Sequence, residues 1–156
     1  MSLSVTDRAA LSDLVHRYAV YVDNRQFDSV AALFTAKAQL TVPDPPAALE
    51  PVVSHRGRQA IASAVGAVGQ AVRTEHAIVG EVYDAGPQPT SARGRVACIA
   101  HHWIQRADEV VDAVWHLRYD DGYELTDTGW RISCRALTIN AIEILPVHRL
   151  RPGDAD

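Results

Sequence analysis

A chain of 156 residues that is 47% hydrophobic and 22% charged has the size and make-up of one globular domain, so a disordered or fibrous chain is excluded. One domain over 1–156 is expected, with an ordered core over about 3–148 and a tail over 149–156. A formal charge of −4 with scattered basic residues leaves no footprint for gripping nucleic acid. No run approaches the roughly 18 apolar residues of a membrane span, and Met1–Arg8 lacks a signal-peptide core, so a cytoplasmic chain with no membrane partner is expected.

In chain order, Leu11, Leu14, Val15, Tyr18, Ala19 and Val22 repeat at the spacing of one helix face, with Thr6 placed as N-cap and Asp7 as first-turn acid. Asp23-Asn24-Arg25 breaks that helix, and a short second one fits Asp28 through Phe34. Lys37–Val42 alternates like a strand and stops at Pro43, where a loop holding Pro43, Pro45, Pro46 and Pro51 reads as a flap. A third helix is expected from near Arg58, carrying Ile61, Ala64, Val65, Val68 and Val72 and weakened by Gly66 and Gly69.

From Glu75 the period changes to two. Glu75–Tyr83, Ala92–Arg106, Glu109–Tyr123 and Thr128–Ile142 read as four long strands divided by turn residues, among them Ala107-Asp108. Helices first and an antiparallel meander last make an α+β fold, with helices covering one sheet face. The other face, with Val110, Val114, His116 and Arg118 opposite Val111, Ala113, Trp115 and Leu117, is expected to pair with further copies as a homodimer or homotrimer. Pro152–Asp156 reads as a frayed tail.

Chemistry-bearing residues are few. Tyr18 lies on the apolar face of the first helix and Asp23 just past its last turn; alone, each is better read as a core aromatic and a turn residue. His76 falls on a strand face with Ile78, Gly80 and Val82. Adjacent His101 and His102 must point to opposite faces, and periodicity does not choose between them. Trp130, Ile132, Cys134 and Ala136 share a face, Cys98 and Cys134 read as buried free thiols, and Arg135 and Asn140 stay ambiguous between solvated and binding roles. No metal-binding, nucleotide-binding or serine-hydrolase motif is present, so neither a metal nor a cofactor is expected.

The order of Tyr18-Ala19, Asp23, Phe27-Asp28, Leu33-Phe34, Gly57-Arg58-Gln59-Ala60-Ile61, Thr74-Glu75-His76 and Gly129-Trp130-Arg131-Ile132 with Arg135 resembles the SnoaL-like branch of the nuclear transport factor 2-like superfamily. That branch includes polyketide cyclases, scytalone dehydratase and bile-acid dehydratase. The resemblance implies a cystatin-like α+β roll, a cone-shaped barrel of strongly bent sheet covered by about three helices. It also implies catalytic Tyr18, Asp23 and His76, with His101 as the closer match to a second histidine, His102 its neighbour by a one-residue slip, and Tyr119 at a further polar position. His76 would act as general base, oriented by Asp23, while Tyr18, with His101 or a water, polarises a carbonyl, giving cofactor-independent dehydration, isomerisation or cyclisation. Apolar walls from Val22, Phe34, Val42, Ile78 and Trp103 suit a small hydrophobic hydroxyketone. The alternatives are a non-catalytic binding protein and an accessory subunit of the same fold.

Overall fold

The structure, a computed structural model, describes residues 2–153. Helix α1 (Val5–Asp23) begins with a capping box: the Asp7 backbone N–H donates to Ser4 Oγ at 3.0 Å, and the Ser4 N–H donates to the Asp7 carboxylate at 3.1 Å. The cap is therefore Ser4, not Thr6, because only Ser4 stands three residues before an acid that can reach back. Helix α2 is Phe27–Ala32, and it ends before Leu33 and Phe34.

The proline-rich stretch expected as a flap is a hairpin, β1 (Phe34–Asp44) and β2 (Ala48–Arg56). Its prolines are tolerated because β2 is an edge strand and the ladder is irregular between Val42 and Asp44, where Pro43 sits. Gly57, at φ 84°, turns the chain into α3 (Arg58–Val65), which gives way to a 3₁₀ turn at Gly66–Gln70 before the expected end of the helix at Val72. Four strands follow: β3 (Arg73–Ala85), β4 (Ser91–Arg106), β5 (Glu109–Thr126) and β6 (Gly129–Pro146).

The six-stranded sheet runs β2-β1-β6-β5-β4-β3, antiparallel except for the parallel β1/β6 pair. Its concave face and the helices enclose one core, which makes this an α+β roll. Leu11, Val15 and Val22 of α1 and Ile61 of α3 meet Val96, Ile132 and Phe34 there, all essentially without solvent exposure. Pro152, expected in a frayed tail, accepts a 2.6 Å hydrogen bond from Arg73 Nη2; 154–156 lie outside the described residues.

Three register shifts in the β3–β6 meander bend the sheet and reverse the alternation of side chains. The shift between Ile78 and Gly80 turns Gly80 and Val82 away from the face that His76 and Ile78 share, leaving Val82 62% exposed. The shift between Gly122 and Tyr123 makes Ser133 an extra residue, so Ile132 and Arg135 are buried while Cys134, expected to be buried on the face of Ile132, is exposed. The shift between His116 and Leu117 makes Asn140 an extra, exposed residue of β6.

The bulge at Ser133 predicts a specific steric coupling. A Cβ at Gly122 would fall 2.7 Å from Cys134 Sγ and 3.2 Å from Ser133 Oγ. Gly122→Ala should therefore lose about 1–3 kcal/mol in urea unfolding, and much of that loss should vanish in a Cys134→Ala background.

Candidate active site

The last residue of α1 brings a carboxylate to the start of β3. Asp23 Oδ2 accepts the backbone N–H of His76 at 2.9 Å, and Oδ1 accepts the Thr74 hydroxyl at 2.9 Å. His76 Nδ1 lies 2.7 Å from the same Oδ1, so the neutral ring carries its proton on Nδ1 and leaves Nε2 as a bare lone pair. The His76 side chain is 7% exposed, which shelters that lone pair from bulk water.

His76 lines a cavity of about 350 Å³ between helices and sheet. Its walls are mainly apolar: Val22 of α1, Leu40 and Val42 of β1, Val65 and Val68 after Gly57, and Ile104, Trp115 and Leu137 of the sheet. Tyr18, Gln70, His102 and Tyr119 supply further polar groups.

Of the two adjacent histidines, His102 lines the cavity and His101 does not. His102 lies opposite Ala113 on β5 and its Nδ1 sits 2.9 Å from the Ala113 carbonyl, which must accept a proton from it. Its Nε2 is therefore also a lone pair. The ring stands 5.9 Å from that of His76, nearly perpendicular to it. Burial, reinforced by His76, holds the His102 pKa below the ordinary 6.5. His101, expected as the closer match, is on the outer sheet face, 2.7 Å from Asp112 Oδ2 and stacked on Trp103. The sequence carried a signal for this: the tight Ala107-Asp108 turn pairs Arg106 with Glu109 and, counting back, His102 with Ala113, on the apolar face of β5.

Beneath the cavity floor, behind Tyr18 and Tyr119, lies a buried ion pair. Arg135 donates from Nε at 2.8 Å and Nη2 at 2.6 Å to Asp121, which also accepts the Tyr123 hydroxyl at 2.7 Å. The guanidinium carbon lies 4.2 Å from the Tyr18 ring centre and 4.0 Å from that of Tyr119. Burial raises the pKa of both phenols, which the Arg135 cation offsets in part, so each hydroxyl stays protonated as a donor at neutral pH.

Five expected ligand contacts fall outside the cavity lining. Arg135 lies behind the two tyrosines, Phe34 packs edge-on to Tyr18 from the core, Trp103 is on the outer face, Ile78 is further along β3, and Asn140 is exposed at its bulge. The indole that lines the cavity is Trp115, and the signal for it is its place on the apolar alternation of β5 with Val111, Ala113 and Leu117. Burial pushes the Cys98 thiol up to about 12, a poor setting for a nucleophile. Among the described residues no three His, Cys, Asp or Glu side chains converge as metal ligands would.

Two outcomes are expected. Because folded His102 resists protonation and the unfolded chain does not, its contribution to stability is complete above pH 6.5 and is lost as pH falls below it. His102→Asn should therefore flatten that part of the stability profile measured by urea unfolding across pH. Asp121→Leu or Arg135→Met alone should each cost about 3–5 kcal/mol by stranding a buried charge, whereas the double variant should recover most of the loss.

Residues 3–136 match the family model of the SnoaL-like domain. A candidate scytalone dehydratase from Novosphingobium aromaticivorans shares the fold at 21% identity over 97% of both chains, with a TM-score of 0.75. A type 2 hexachlorocyclohexane dehydrochlorinase, LinA, does so at 18% identity over 96% of this chain and 97% of that one, TM-score 0.77. An NTF2-like protein with a cystatin-like fold, also from Novosphingobium aromaticivorans, is 17% identical over 87% of this chain and 83% of that one, TM-score 0.62. No curated protein matches the chain in sequence. At these identities the structural likeness carries the fold, and the family model carries the membership: the chain belongs to the SnoaL-like domain family.

Proposed function

We propose that the chain is a cofactor-independent lyase or isomerase that works by general acid–base catalysis on a small hydrophobic hydroxyketone. The observation that carries this reading is the 2.7 Å Asp23–His76 pair opening onto a largely apolar cavity of about 350 Å³. His76 Nε2 takes the proton from the carbon next to the substrate carbonyl, and Asp23 stabilises the imidazolium that forms. The electron pair released passes to the carbonyl oxygen, where the Tyr18 hydroxyl, kept protonated by burial, donates to the developing enolate. As the carbonyl re-forms, the neighbouring hydroxyl leaves as water with the proton returned by His76, which is dehydration. Return of the proton to another carbon is isomerisation.

His102 has a different part from the one expected of His101. With its Nδ1–H donating to the Ala113 carbonyl and its pKa depressed, it offers at Nε2 a lone pair that accepts a hydrogen bond from a substrate hydroxyl and orients it. A dehydratase and a dehydrochlorinase among the structural neighbours support an elimination, since both names describe loss of a small molecule. The walls fit a polyketide-like or steroid-like carbocycle better than a charged metabolite.

The test is turnover of hydroxylated cyclic ketones, followed by mass loss of water and by the new conjugated absorbance. His76→Ala should lower kcat at least about a hundredfold with the fold intact. Asp23→Asn should lower kcat strongly while leaving binding affinity almost unchanged. Tight binding with no turnover by the native protein would point instead to a binding module.

A further inference from the structure

We infer that Thr74, held by Arg25, is a positioning residue that fixes the Asp23 carboxylate, and through it the tautomer of His76; the inference rests on the reading of that pair given above. Asp23 is the final residue of α1, where the partial negative end of the helix disfavours a carboxylate unless donors surround it. Three N–H or O–H donors do so: the His76 backbone, the His76 ring and the Thr74 hydroxyl. Two of them belong to the base itself. The third, the Thr74 hydroxyl, comes from another residue, and its hydrogen can turn about the Cβ–Oγ bond until something aims it.

Arg25 supplies the aim. Its guanidinium has only donors, and Nη1 stands 3.5 Å from Thr74 Oγ1, so that oxygen faces a cation and its proton is directed to Asp23 Oδ1. The same side chain donates from Nη2 to the Ala71 carbonyl at 2.8 Å and from Nη1 to the Asp23 carbonyl at 3.3 Å. Arg25 has φ 56°, a region that non-glycine residues seldom occupy, which persists where surrounding contacts over-determine it. The contacts of its guanidinium are of that kind: they tie the turn after α1 to the rim of the cavity and to the start of β3. Thr74 is buried and opposite His102 in the ladder, so both cavity imidazoles are mounted beside one brace.

The consequence is a fixed proton. With Oδ1 shared between Thr74 and His76 Nδ1, the carboxylate is held in the plane that keeps the imidazole proton on Nδ1 and the lone pair on Nε2. Without the hydroxyl, the carboxylate gains freedom to turn and the other tautomer becomes populated.

The experiment uses the ligand-free protein and long-range ¹H–¹⁵N correlation of the His76 ring, assigned by its absence in His76→Gln, at a pH where the ring is neutral. The native protein is expected to hold the Nδ1–H tautomer. In the near-isosteric Thr74→Val the ratio of Nδ1–H to Nε2–H should fall about tenfold, and Thr74→Ser should restore it. Arg25→Asn, whose side chain tolerates positive φ, should lower the ratio by a smaller factor. A folded Thr74→Val with an unchanged ratio overturns the inference; if that variant does not fold, an unchanged ratio in Arg25→Asn does so. A native protein with the proton on Nε2 would instead sink the Asp23–His76 pairing, and the inference with it.

Discussion

A carboxylate at the C-terminal end of a helix meets the negative pole of the helix dipole and needs donors around it, and that requirement organises the site. Asp23 finds them on β3, 51 and 53 residues along the chain. The bond network joins the first helix to an edge strand of the sheet and sets the imidazole of His76 in one orientation. Walls, floor and rim are arranged around this junction. Arg25 ties the turn after α1 to the Ala71 carbonyl, and the 3₁₀ turn at Gly66–Gln70 lines the cavity with Ala67, Val68 and Gln70.

The floor answers a second electrostatic demand. A guanidinium without solvent exposure is tolerable only with a bidentate carboxylate and polarisable neighbours, and Arg135 has both in Asp121 and the two tyrosine rings. The pair therefore does more than neutralise itself. It also packs against the rings of Tyr18 and Tyr119, both of which line the cavity.

Much of this was legible in the sequence. The 3.6-residue period of Leu11 to Val22 gave α1 with its inward Tyr18, and the four long β-rich runs gave the meander. The resemblance to the SnoaL-like branch pairs Asp23 with His76, and the two lie 2.7 Å apart. What periodicity could not carry was every change of phase. Each bulge moves one residue out of the alternation, so Gly80, Val82 and Cys134 ended on faces opposite to those a strict period of two assigns. The choice between His101 and His102 needed the neighbouring strand, because adjacent residues on an edge-to-centre strand look alike until the turn that follows fixes the register. Arg135 was ambiguous for the same reason: its burial is a product of the shift at Ser133 and of a partner, Asp121, on another strand.

The two margins of the sheet have a bearing on how copies of this chain meet. At one margin Pro51 interrupts the row of N–H groups of β2, and at the other the irregularity beside Val79 buckles β3. Neither offers the long flat run of unpaired backbone that templates fibrous stacking. A crowded solution of the protein should therefore resist cross-β aggregation at its margins, and contact between neighbours is left to side chains rather than to main-chain addition.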